Sequence, residues 1–236
     1  MYNRQMDDAV SSLQQTITSC RLCPRLVSFR EKVAATKRAA YRDWEYWGKP
    51  VPSLGQNDAR LLIVGLAPAA HGGNRTGRIF TGDRSGDFLF ETLHRFGFAN
   101  QPYSRDRHDG LQLIDSYITA AIHCAPPDNK PLPEELRNCR RYLRQEMVLL
   151  ENVRVIVVLG RIAWQAVLQA RRELGRPVPR PLPPFRHAAC SPLDESTALI
   201  CSYHPSQQNT STGKLTRAMF DEVFRRAREL IEDNKH

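Results

Sequence analysis

At 236 residues and 41% hydrophobic content, the chain is long enough for one sizeable core, and a single domain over residues 1–236 is expected. The net charge of +9 and a pI of about 9.5 favour a polyanionic partner, nucleic acid ahead of a membrane surface. The N-terminal MYNRQMDDAVSSLQQ has no apolar leader and no run approaches the ~18 apolar residues of a membrane helix, so a soluble, cytoplasmic protein is expected, with no membrane partner.

The first pattern in chain order is SCRLCPRL, which sets Cys20 and Cys23 in a C-x2-C spacing. In a reducing compartment such a pair reads as a metal or cluster ligand set before it reads as a disulfide. Residues 36–58 mix charge, aromatics, Pro and Gly without a period and are expected to be an ordered loop. The run LLIVGL (61–66) then reads as a buried strand, followed by GLAPAAHGGNRTGRIFTGD and a helix from Ser85, a candidate N-cap, to about Phe96. A second strand is expected at 116–123, followed by CAPPDNKPLP and a helix from Pro133, suited to a first helical position, to about Leu150. The third strand, 153–160, leads into a helix from Ile162 to about Leu174, with Gly175 placed as its C-cap glycine. The Pro-rich segment 176–196 is irregular, strand 197–204 follows, and a final helix from Leu215 to about Ile231 has Thr216 as a candidate N-cap.

Near-continuous apolar strands alternating with helices predict an α/β fold with a mostly parallel sheet covered on both faces. The segment after each strand then emerges at the carboxyl edge, where open α/β sheets form their ligand crevice. GGNRTG in the first of them lacks the G-K-[ST] ending of a phosphate-binding loop, which argues against an NTPase.

Cys124 and Cys139 form a second, widely spaced pair, one ending a strand and one in the following helix. With Cys20 and Cys23 they make four thiolates, enough for a tetrahedral zinc or a [4Fe–4S] cluster; the spacing, unlike paired zinc knuckles, favours the cluster. Cys190 and Cys201 have no partner pattern and read as ordinary cysteines.

CRLCPRL, GLAPAAHGGNRTGRIFTGD, CAPPDNKPLPEELRNC and SYHPSQQNTSTGKLT, in this order, closely resemble the family 5 uracil-DNA glycosylases, the iron–sulfur branch called type B, over about residues 18–230. Family 4 enzymes carry an acidic residue after the first glycine, where this chain has Leu66. The covalently trapping relative has a basic, histidine-bearing loop that is absent here. The resemblance implies a three-layer α/β/α sandwich around a four-stranded parallel sheet, a [4Fe–4S] cofactor on Cys20, Cys23, Cys124 and Cys139, and hydrolysis of the N-glycosidic bond of uracil in DNA. Hypoxanthine and modified cytosines are implied as further substrates, in double-stranded and also single-stranded DNA, by a monomer associated with the nucleoid.

Such chemistry needs a stacking wall, donors to the departing base and a positioned water. The resemblance places Phe80 as the wall, His204 as a neutral donor to the uracil oxygen, and Asp83 and Asn129 as candidates for orienting water. Gly65, Ala67 and Ala69 would line the base pocket, Gly65 permitting close approach. Asp83 read on its own also fits a helix cap. Ser206, Gln207 and Lys214, with Arg75, Arg78 and Arg84, are expected at DNA phosphates. A non-enzymatic damage-binding module and a zinc-stapled nucleotide hydrolase remain the alternative readings.

Overall fold

The computed structural model describes residues 2–233, and side chains from residue 8. Four central strands run parallel: β2 (Leu61–Gly65), β3 (Ser116–Ala120), β4 (Val155–Leu159) and β6 (Ala198–Ser202). Two short antiparallel edges complete a six-stranded sheet, β1 (Leu54–Gly55) on β3 and β5 (Cys190–Pro192) on β6, in the order β1-β3-β2-β4-β6-β5. The expected four-stranded sheet is therefore the centre of a mixed one. The edges come from segments read as irregular, because two or three residues containing Gly55 or Pro192 carry no readable period.

The register sets Leu61 beside Ser116 and Val155, and Val155 beside Ala198, so all four central strands end level. Alternate residues point to opposite faces. Leu61, Ile63, Ile118, Val157 and Ile200 pack with α4 (Arg84–Arg95) and α8 (Arg217–Asp233), whose Phe90, Leu93, Phe220 and Phe224 are fully buried. On the other face Leu62, Val64, Ile156, Val158 and Leu199 pack with α5 (Pro133–Leu149) and α6 (Arg161–Glu173). This is the three-layer α/β/α sandwich, and burying each such side chain contributes about 1.5–3 kcal/mol.

Three helix signals hold. Pro133 begins α5, Gly175 takes φ +67° just past α6, and the Thr216 hydroxyl accepts from the Met219 amide at 3.2 Å. One is corrected: the N-cap of α4 is Asp83, whose carboxylate accepts from the Gly86 amide at 3.0 Å, so Ser85 lies inside the helix.

Two further helices lie in the N-terminal region, α1 (Tyr2–Thr18) and α2 (Pro24–Thr36). Val10 packs into the second core, and Leu13 and Ile17 close a third cluster with Tyr142, Cys20 and Cys139. Short helices α3 (Gly73–Thr76) and α7 (Gln207–Ser211) sit in the loops after β2 and β6. No helix among the described residues is long and apolar enough to cross a membrane.

Candidate active site

The loops after β2, β3 and β6 meet at the carboxyl edge of the sheet. Phe80 is the tightest point of the first. Its φ of +50° is left-handed, a conformation costing a non-glycine residue about 1–2 kcal/mol. Two glycines make it tolerable: the Phe80 carbonyl lies against Gly86, and the ring edge sits where a Gly65 Cβ would be, 2.8 Å from Cε2 and Cζ. Gly65 thus allows the Phe80 ring to approach the end of β2 closely. The ring stacks on the His204 imidazole, centroids 6.0 Å apart and planes at 27°, and keeps 7% exposure.

His204 follows β6 by two residues. Its carbonyl accepts from Asn209 Nδ2 at 2.9 Å, and its Cβ is 3.6 Å from where a side chain on Gly160 would begin, a residue at φ +101°. Burial without a compensating acid lowers its pKa to about 4, so the imidazole is neutral at physiological pH. The neighbouring backbone is held by His187, unremarked in the sequence: its Nδ1 accepts from the Tyr203 amide at 3.2 Å while Nε2 donates to the Met219 carbonyl at 3.0 Å.

Asp83 turns one oxygen to the Gly86 amide, and its other oxygen lies over Gly72, where a Cβ would collide with it. Burial raises its pKa, opposed by the amides of Gly86 and Ser85. Ala67 and Ala69 are half-buried on the adjoining turn, and neither amide donates a backbone hydrogen bond among the described residues. Asn129 is exposed at φ +55° in the loop after β3, and among the described residues no hydrogen bond, ion pair or ring contact joins it to Asp83, Phe80 or His204.

The DNA candidates divide. Arg84 is exposed at the start of α4, Gln207 is exposed on α7, and Lys214 is exposed with its Nζ 5.3 Å from the Tyr203 ring. Ser206 is the N-cap of α7, accepting from the Asn209 amide at 3.3 Å. Arg75 and Arg78 are corrections, since both are buried. Arg75 lies 4.0 Å over the Tyr41 ring and 4.1 Å over Trp44, donating to the carbonyls of His71 and Gly82. Arg78 donates to Asp109 and Ser104 at 2.7 Å and to Thr81 at 3.0 Å. Both guanidiniums are spent on shaping the loop that carries Phe80.

At the other end of the β3 loop, Cys20, Cys23, Cys124 and Cys139 line one hollow together with Arg30, His123 and Tyr142. Hydrogen-bond donors face the sulfurs: Arg30 to Cys124 at 2.9 Å, the His123 amide to Cys139 at 3.3 Å and Asn138 to Cys23 at 3.5 Å. Burial pushes the Cys124 thiol up to about 11, and raises those of Cys139 and Cys23. Among the described residues, no group of three or more His, Cys, Asp or Glu converges to hold a single metal ion.

The model of the uracil DNA glycosylase superfamily matches residues 52–228. The chain is 53% identical to the type-5 uracil-DNA glycosylase of Thermus thermophilus over 216 residues, covering 92% of this chain and 95% of that one. It is 50% identical over 223 residues to that of Mycobacterium bovis (94% and 82% covered) and 46% identical over 221 to that of Pyrobaculum aerophilum (94% and 91%). With identity at this level over more than nine-tenths of its length, the chain belongs to the uracil-DNA glycosylase superfamily, in its type-5 branch.

Proposed function

We infer that this protein removes uracil from DNA in base excision repair, hydrolysing the N-glycosidic bond. The observation that carries the reading is the Phe80–His204 ring pair, seated against Gly65 at the sheet's carboxyl edge with the Asp83 carboxylate on the same loop as Phe80. A flipped base covers what remains exposed of the Phe80 ring. As the glycosidic bond breaks, its electron pair moves onto the base and charge builds on the carbonyl oxygens. A neutral imidazole N–H at His204 and the unpaired amides of Ala67 and Ala69 are donors for that charge, fixed in place before it develops. Asp83 accepts a proton from the water that adds to the sugar carbon, and a carboxylate whose pKa is raised by burial is better suited to that role than an exposed one. Asn129 orients the same water from the β3 loop. Hypoxanthine and modified cytosines are further substrates, double-stranded DNA the principal form and single-stranded DNA a second, and the protein works as a monomer on the nucleoid.

Cys20, Cys23, Cys124 and Cys139 are proposed to hold a [4Fe–4S] cluster, which when bound supplies a covalent staple between the N-terminal helices and the β3–α5 segment. The donor set supports this. Four sulfurs line a hollow, three of them accept hydrogen bonds, and among the described residues the buried Arg30 has Glu31, 3.8 Å away, as its one acidic partner. Thiolates satisfy that cation where neutral thiols do not.

The test is base release from a duplex carrying one deoxyuridine, by anaerobically purified protein, followed by alkali. Strand cleavage only after alkali is the expected result, with iron and acid-labile sulfide present in stoichiometric amounts. Intact strands with uracil, hypoxanthine and modified-cytosine duplexes alike would leave a damage-binding module in place of the enzyme.

A further inference from the structure

The loop 103–109, YSRDRHD, belongs to none of the motifs above, yet it is built onto the loop that carries Phe80. Ser104 accepts from the Gly82 amide at 3.2 Å through its carbonyl, and its hydroxyl pairs with that of Thr81 at 2.5 Å. Asp109 receives the buried Arg78 and, at 2.6 Å, the Arg105 amide. The loop is therefore fixed to residues on either side of Phe80, one residue from Asp83.

Its carboxylates are turned inward: Asp109 serves Arg78 and the loop amides, and Asp106 accepts from the His108 amide at 2.7 Å. Its cations are turned outward. Arg105 is exposed and lies 4.7 Å over the exposed Tyr103 ring, and Arg107 is exposed and lies 4.6 Å over Trp47. Neither forms an ion pair among the described residues. A guanidinium resting on an aromatic face keeps its in-plane N–H donors free and loses less rotamer entropy when they are used. Arg84, at the start of α4, is exposed as well.

Resting on the glycosylase reading, we propose that Arg105 and Arg107 form a phosphate clamp on the DNA duplex beside the flipped nucleotide, the contact that the buried Arg75 and Arg78 do not make. Phosphates are the partner that fits: two planar forks, preset on rings, neither tied up in an ion pair among the described residues.

The experiment measures binding of the full-length holoprotein to a labelled duplex over a salt series, with single-turnover uracil release at saturating DNA run in parallel. Each phosphate contact contributes about 0.9 to the slope of log K against log salt, so Arg105→Ala/Arg107→Ala is expected to make it shallower by about 1.8. The saturated release rate stays within about twofold of wild type, because the loss lies in binding rather than in the chemical step. Arg105→Lys/Arg107→Lys, which keeps charge without the planar fork, falls between. Arg172→Ala, an exposed arginine at the far end of α6, is the control and leaves the slope unchanged. A double variant whose slope matches that control overturns the clamp. If wild type releases no base while the slope still falls, the clamp stands and the glycosylase reading fails.

Discussion

Phe80 shows how one residue gathers several local demands. A bulky side chain in the left-handed region persists only where its surroundings leave no alternative, and here Gly65 and Gly86 each leave room that a methyl group would fill. Gly65→Ala sets a Cβ 2.8 Å from the ring, so uracil release is expected to fall by more than tenfold in single-turnover assays of a still-folded protein, since ångström-scale displacement costs about that much. Asp83 has two roles that substitutions separate. Asn caps a helix about as well as Asp, whereas Ala costs about 1 kcal/mol. Asp83→Asn should therefore melt close to wild type and Asp83→Ala several degrees lower, while both lose base release; a wild-type rate in the Asn variant would reduce Asp83 to a cap. The positions of Asp83, Phe80 and His204 at the carboxyl edge are legible in the sequence, because motif spacing ties each to a strand end. The burial of Arg75 and Arg78 is not legible, because a sequence does not distinguish an arginine aimed at solvent from one lying on Tyr41 and Trp44, thirty-odd residues upstream, or paired with Asp109.

At the level of elements, the N-terminal region is the instructive case. Val10, Leu13 and Ile17 recur at spacings of three and four, the mark of one buried helical face, but the polar residues around them mask it. With Leu26 and Val27 of α2, also buried, those three are a small apolar anchor for α1 and α2. What ties them to the rest is polar: Arg25 pairs with Glu135 through two hydrogen bonds of 2.7–2.8 Å and reaches the Lys130 carbonyl, and the Asn74 side chain donates to the Arg30 carbonyl at 3.2 Å. The first of these braces the loop bearing Asn129, the second the loop that leads to Phe80. If the four cysteines staple this arm, Cys139→Ser should lose iron and sulfide, lower the melting temperature and open the region before residue 37 to protease, with base release falling as the braced loops loosen. Full iron content in that variant would remove Cys139 from the ligand set. The parallel core, by contrast, was readable throughout, because buried strands are apolar on both faces; the two edge strands escaped notice because they bury little.

On the scale of the molecule, the parallel sheet concentrates its polar groups at one edge, and burial there has a consequence for acid stability. His204 has its pKa lowered to about 4; His187, which holds the neighbouring backbone, and His71, in the first loop, are also lowered, each chiefly by burial. A histidine whose folded pKa is depressed binds fewer protons than its unfolded counterpart between the two values. Stability then falls as pH drops from about 6.5 towards 4, the slope being set by the excess protons on the unfolded chain. Asp83 acts in the opposite sense, because its raised pKa lets the folded state take up a proton first. A second loss begins below the ordinary carboxylate range, where Asp194, held down to about 2 by Arg171 against its own burial, must be protonated along with Asp109 and Glu135. Two descending limbs are therefore expected in melting temperature against pH, one on each side of pH 4. His204→Asn removes the largest single contributor to the upper limb, worth about 3.5 kcal/mol at about 1.4 kcal/mol per pKa unit between 6.5 and about 4, and should flatten it while leaving the lower limb intact. The same neutrality predicts that uracil release by wild type has no step near pH 6.5, the inflection of an ordinary histidine. A variant whose upper limb matches wild type, or a release profile that titrates near 6.5, would mean that His204 is solvated and charged at the carboxyl edge, and no longer a neutral donor to the departing base.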